Sequence, residues 1–233
     1  MDFGGLAARL AAVRDSVARN QAAGGWTHPV EIVAVTKGFG VEAVAAAVAA
    51  GVTRVGENRV QEALEKMDAA AARGVTAEWH LVGHLQRNKA KFVPGRFAVV
   101  HSVDSVDLAR ELDRRAAAAG ARVRVLLQVN VAGEEQKNGC EPADAPVLAR
   151  AVRDCGALAL EGLMTLAPFT DDVTRQRATF RGLRELRDRI SEEGQWLPTL
   201  SMGMSADYGS AVAEGATLIR LGTALFGPRG EAP

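Results

Sequence analysis

Along the chain, short apolar runs with two-residue alternation are separated by longer alanine-rich stretches whose apolar positions recur with helical spacing. The short runs fall at residues 31–37, 53–57, 78–84, 97–103, 122–131, 159–165, 199–205 and 218–225. The helical stretches lie between them at 41–50, 59–73, 86–92, 105–119, 143–154 and 174–193, with a brief one at 206–214. Strands that alternate with helices predict an α/β fold with a parallel sheet, and eight is the number that closes a (β/α)8 barrel of the TIM type. An amphipathic helix over residues 1–23 precedes the series and is expected to cover the barrel floor or pack on its side. No Pro/Ser-rich linker interrupts the alternation. The expectation is therefore a single domain over 1–233, with the barrel at 30–227 and no C-terminal β-domain.

Composition narrows the partners. The chain has 233 residues, and 28 basic residues balance 28 acidic ones without a block of like charge, so neither nucleic acid nor a membrane surface is indicated. No apolar run is long enough to cross a bilayer. The first helix carries Asp2, Arg9, Arg14, Asp15 and Arg19 within its periodicity, which is unlike a secretory signal. Cys140 and Cys155 lack metal or redox spacing and read as unpaired thiols of a cytoplasmic protein. Small molecules are the expected partners, and the chain is expected to be a monomer or a weak dimer.

The chemistry gathers first at Val30 to Phe39, V-E-I-V-A-V-T-K-G-F. If this strand runs to Lys37, alternation puts that amine on the face of Val33 and Val35 at the strand's carboxyl end. Partial desolvation there would lower its pKa and make it nucleophilic enough to hold an aldehyde cofactor as an imine. Active sites of such barrels lie at this end, and the loops after strands seven and eight often hold phosphate. In L-S-M-G-M-S-A-D, Ser205 would open a short helix; in I-R-L-G-T-A, Gly222 offers backbone N–H groups beside the Thr223 hydroxyl. Arg220 shares a strand face with Gly222 and should point into the barrel mouth, where a guanidinium facing a pyridine nitrogen would leave that nitrogen unprotonated. A pairing of Arg220 with Glu57 is the structural alternative, as is a helix-capping role for Asn58, which could otherwise bond a cofactor hydroxyl.

Other clusters are less decisive. His80 and His84 would lie about 13 Å apart on a strand, too far for one metal ion. Gln86, Asn88 and Lys89, and likewise Glu135, Lys137 and Asn138, read as polar clusters on loops at the barrel top. G-F-G-V-E-A at 38–43, with Glu57 ending the second strand, also fits a dinucleotide-binding turn in an open sheet, which would make the chain an NAD-dependent oxidoreductase.

Together, V-A-V-T-K at 33–37, G-E-N-R-V-Q-E at 56–62, W-H-L-V-G-H-L-Q-R-N-K at 79–89, L-S-M-G-M-S-A-D at 200–207 and I-R-L-G-T-A-L-F-G at 219–227 resemble the pyridoxal phosphate homeostasis proteins. These share the fold of the alanine racemase N-terminal domain. The resemblance implies a protein that binds pyridoxal 5′-phosphate (PLP) and acts in vitamin B6 balance, without an established reaction. It implies that Lys37 carries the Schiff base, that Arg220 faces the ring nitrogen, and that Ser205, Gly222 and Thr223 hold the phosphate. Asn58 would line the ring, and Ser201, deeper on the strand face of Ser205, would be an outlying member of the phosphate shell. PLP-dependent apoenzymes are the implied recipients. A weak PLP-dependent racemase or lyase is the enzymatic alternative, although the chain stops at Pro233 without a domain to bring a second tyrosine beside Tyr208.

Overall fold

Hydrogen bonding between the first strand and the last closes the sheet. In the computed structural model, which describes residues 3–134, 137–192, 194 and 196–228, eight parallel strands follow one another around a barrel in sequence order. They are β1 (Glu31–Val35), β2 (Arg54–Glu57), β3 (Glu78–Leu81), β4 (Val99–Val103), β5 (Val123–Gln128), β6 (Leu158–Met164), β7 (Thr199–Ser201) and β8 (Leu218–Leu221). Helices α1 (Leu6–Gly24), α2 (Val41–Ala49), α3 (Val60–Ala72), α4 (Val106–Ala118), α5 (Ala145–Arg153), α6 (Val173–Glu192), α7 (Tyr208–Ala213) and α8 (Thr223–Phe226) complete it. The closing ladder sets Val33 beside Arg220 and Ala34 beside Leu221. The expected (β/α)8 barrel is thus observed, and closure excludes the open sheet on which the dinucleotide reading depended.

Local sequence explains where the elements start and stop. Ser105 caps α4 by accepting a hydrogen bond from the Leu108 N–H at 3.4 Å, and a proline occupies the first turn of α5, where its missing N–H costs nothing. Leu6, Leu10, Val13 and Val17 form the buried stripe of α1. That stripe packs on α7 and α8, so the helix lies on the barrel's side and not across its floor. Its start is pinned near the mouth, where the Phe3 ring meets those of Phe39 and Phe226 edge-on at 6.1 and 5.7 Å.

Several predicted boundaries shift. The strand expected over 218–225 ends at Leu221, and the apolar residues that follow form α8, because Gly222 turns the chain and the Ser205 hydroxyl accepts from the first amides of the new helix. The strand expected over 199–205 stops at Ser201, since Gly203 adopts φ +92°, a region closed to most L-residues. A Cβ there would also lie 2.7 Å from that of Ala211. The stretch at 86–92 is a single 3₁₀ segment, Arg87–Phe92. Strand one ends at Val35, which leaves Lys37 in the following turn.

Most of the core lies between sheet and helices, with Ala34, Val55, Leu81, Phe180, Leu183 and Leu221 among its buried members. Inside the barrel the apolar cluster is small, Val99, Leu126 and Met164, and polar side chains fill much of the rest. The amino-terminal end is rimmed by alternating charges: Glu31 pairs with Arg54, Arg54 with Glu78 at 3.5 Å, Glu78 with Arg124 at 2.9 Å and Arg124 with Glu161 at 2.7 Å. His80, facing it at 3.4 Å, and these two arginines hold the Glu78 carboxyl down at about 2. A carboxylate with a depressed folded pKa stabilises the protein above its unfolded value and loses that contribution as pH falls through the folded one. Glu78→Gln should therefore lower the urea midpoint at pH 6, and the gap from the parent should close as the pH approaches 2; a gap independent of pH would remove this rim from the acid response.

Candidate functional site at the carboxyl ends of the strands

The turn that carries Lys37 is tied down from behind. Thr36 is fully buried; its hydroxyl donates to Glu57 Oε1 at 2.5 Å, and its carbonyl accepts from Lys66 Nζ at 2.7 Å. Lys66 also reaches Glu57 Oε1 at 2.6 Å and Glu62 Oε1 at 2.9 Å, and Glu62 Oε1 accepts the Gly38 N–H at 3.0 Å. The backbone on both sides of Lys37 is thereby anchored to one ammonium group on α3. Burial pushes the Glu57 carboxyl up, against the pull of Lys66 and Thr36. Lys37 itself is exposed. The desolvation expected from the strand is not found, because the strand ends two residues earlier.

Arg220 is held rigidly within the mouth. Its Nη1 donates to Ser201 Oγ at 2.6 Å and its Nη2 to the Thr165 carbonyl at 2.9 Å. Burial lowers its pKa to about 10, partly offset by Asp207, so the guanidinium stays charged at neutral pH. Among the described residues it forms no ion pair, and Glu57, the suggested partner, is committed to Lys66 on the opposite face of the sheet. Only two of its five N–H donors are committed to described residues, which leaves three of a buried cation, the Nε–H among them, for something else. Ser201 is fully buried and also bonded to His101 Nδ1 at 2.9 Å. The hydroxyl expected at the edge of a phosphate shell thus has Arg220 and His101 as its partners among the described residues.

The loops after β7 and β8 are joined by Ser205. Its Oγ accepts the Gly222 N–H at 3.2 Å and the Ala224 N–H at 3.1 Å, so the hydroxyl meets the amides at the start of α8, whereas the sequence placed it at the start of the helix that follows β7. Thr223 is exposed beside them. Buried Asp207 braces the first loop by accepting the Met204 N–H at 2.5 Å. On the other side of β1, the Asn58 side chain is half-buried and bonded to no described residue, and the cap of α3 is Arg59, which removes the capping alternative. Gly83 packs against the Asn58 backbone, where a Cβ would come within 2.3 Å of the Asn58 carbonyl oxygen. Lys37, Asn58, Arg220, Gly222, Thr223 and Ser205 thus come from β1, β2, β7 and β8, which are consecutive around the ring.

Some functional candidates separate. His80 is buried inside the barrel, whereas exposed His84 lies past the end of β3, 3.4 Å from Asp104. Among the described residues no group of three or more His, Cys, Asp or Glu could hold a metal. Gln86 and Asn88 are exposed. Lys137 donates to the Ala167 carbonyl at 2.6 Å, while Glu135 of the same cluster lies outside the described residues. Sequence reasoning missed Lys66 and His101. His101 shares the parity of Val99 in the strand V-V-H-S-V, and a polar residue at an inward position was the available signal.

Fold and sequence comparison agree on the class. The model of the alanine racemase N-terminal domain matches residues 9–230, so this barrel is of that type. The pyridoxal phosphate homeostasis protein of Pseudomonas aeruginosa is 44% identical over 209 residues, covering 90% of this chain and 89% of that protein. That of Aquifex aeolicus is 43% identical over 180 residues, 77% and 78% of the two chains. The structure of PipY from Synechococcus elongatus with PLP bound superposes with a TM-score of 0.82 at 36% identity, covering 95% of this chain and all of that one. The chain belongs to the pyridoxal phosphate homeostasis protein family.

Replacing Lys66 with Met leaves the Glu57 carboxylate buried without its counter-charge. Such removals cost roughly 3–5 kcal/mol. Urea unfolding should show a loss of that order for Lys66→Met and a smaller one for the Glu57→Gln/Lys66→Met pair; equal losses would mean that the buried charge is not the cause.

Proposed function

We propose that this chain binds PLP covalently on Lys37 and serves in the cytoplasm as a carrier and buffer of the cofactor, with PLP-dependent apoenzymes as recipients and without robust catalysis of its own. The whole barrel acts as one binding domain, as a monomer or weak dimer. The observation that carries this reading is a buried, carboxylate-free guanidinium with uncommitted N–H donors, set between a mouth lysine and a hydroxyl-plus-amide loop pair. PLP carries a matching set of groups: an aldehyde for the amine, a ring nitrogen for the arginine and a phosphate for the loops. The PLP-bound relative at 36% identity supports the same assignment.

The residues divide the work. The Lys37 amine would condense with the aldehyde carbon with loss of water. Ser205, Gly222 and Thr223 would hold the phosphate through hydroxyl and backbone donors. Asn58 would line the ring with its uncommitted amide. Arg220 has only donors to offer, so a ring nitrogen facing it accepts a hydrogen bond and stays unprotonated. When bound, the cofactor supplies an electron-withdrawing ring, and that ring is a weaker sink in the neutral form. The single tyrosine, Tyr208, starts α7 behind the phosphate loop, which favours holding over racemisation. Among the described residues no helix is long and apolar enough to cross a membrane, which is consistent with a cytoplasmic role.

Protein purified with PLP should show the imine absorption band, and borohydride should fix the cofactor on the peptide that contains Lys37. Lys37→Ala should lose both signals. A band that persists in that variant overturns the assignment; steady turnover of any amino acid in an enantiomer-resolved assay would overturn the carrier reading.

A further inference from the structure

The inside of the barrel holds a line of polar groups that starts at Arg220, at the proposed cofactor site, and leads away from it. From Arg220 it runs to Ser201 at 2.6 Å, from Ser201 to His101 Nδ1 at 2.9 Å, and from His101 Nε2 to His80 Nδ1 at 2.8 Å. His80 Nε2 then faces Glu78 Oε1 at 3.4 Å, at the wall of a floor cavity of about 510 Å³. The groups come from β8, β7, β4 and β3, so the line crosses the barrel's interior. His80, His101, Ser201 and Arg220 are all nearly or fully buried. Keeping four polar side chains there costs more than an apolar filling unless each is satisfied.

The guanidinium end fixes the direction of the protons that follow, and at the far end His80 Nε2 faces Glu78 without a hydrogen bond to any described residue. A guanidinium only donates, and an ionised carboxylate only accepts. Ser201 accepts from Arg220, so its own hydroxyl proton goes to His101 Nδ1. That makes Nε2 the protonated nitrogen of His101, which donates to His80 Nδ1, and His80 in turn carries its proton on Nε2, towards Glu78. Both rings are then neutral, in keeping with burial, which lowers both pKa values. In the opposite orientation, Ser201 would accept twice and its proton would have no acceptor among the described residues.

We propose that His101, backed by His80, is a positioning residue for Arg220: by taking the Ser201 proton it makes Ser201 a pure acceptor, and this fixes the guanidinium against the ring nitrogen of the bound cofactor. The proposal rests on the PLP reading of the mouth and extends it to residues on the far side of the barrel. His101→Asn keeps a carbonyl oxygen near the Nδ1 position and so can still accept from Ser201. His101→Leu keeps the bulk and loses the acceptor.

Two measurements test it. In the unmodified protein at pH 7, nitrogen-15 NMR of the histidine rings should show His80 and His101 as neutral Nε2–H tautomers. Protonation of His101 at Nδ1 overturns the proposal, and this reading needs neither a variant nor the cofactor. In protein loaded with ring-labelled PLP, His101→Leu should shift the ring-nitrogen resonance and speed PLP release by about tenfold, the scale of one charge-assisted hydrogen bond. His101→Asn should restore both. A resonance unmoved in His101→Leu, or an Asn variant that behaves like Leu, overturns the positioning role while the parent's imine band stands. An absent band in the parent overturns the cofactor reading, and this proposal with it. If His101→Leu fails to fold, the tautomers and the Asn variant decide the matter.

Discussion

The hydrogen bonds between β1 and β8 are the constraint on which the mouth depends. They bring residues from the two ends of the barrel sequence into one register, so the turn after β1 stands beside the loop after β8. In an open sheet these segments would lie on separate edges. Closure therefore does more than remove unpaired edges: it sets the lysine turn beside Arg220 and the loop that follows it, at one end of the barrel.

Charge is buried in two places, and the two are built differently. On the outer face of the sheet, Glu57 and Lys66 neutralise one another and brace the turn around Lys37. Inside, Arg220 has neutral oxygens for partners, and Asp207 acts on it only from a distance. The first arrangement is self-contained. The second remains electrically incomplete, and an acceptor placed against it gains from a desolvation already suffered during folding. Such a division suits a scaffold whose rigid half sets geometry and whose incomplete half does the recognising.

Much of this was legible from alternation alone. The eight strands, the lysine beside the first of them and the glycine-bearing loops after the last two follow from period-two and helical spacing with turn glycines. What the pattern did not reveal has physical reasons. The apolar run after Leu221 reads equally as strand or helix, and amide acceptance by Ser205 from another loop decides for helix. The strand over 31–37 is shortened because Thr36 gives its hydroxyl to Glu57 at the end of β2 and its carbonyl to Lys66 of α3, a tertiary demand invisible in local sequence. Lys66 sits in a helical stripe as an apparently ordinary surface lysine, and only packing shows that Glu57 lies beneath it. Ser201 lay at the right parity for the barrel interior, and its bonds to Arg220 and His101 were not visible in the local pattern.

The exposure of Lys37 on its turn bears on how a tethered molecule would leave. A bond formed at the rim can be approached by a competing amine without a lid swinging aside or strands parting. Departure would then be timed by the exchange chemistry and by the hold on the anionic tail, with no conformational gate in series. For a depot, this makes retention adjustable through ligand concentration alone.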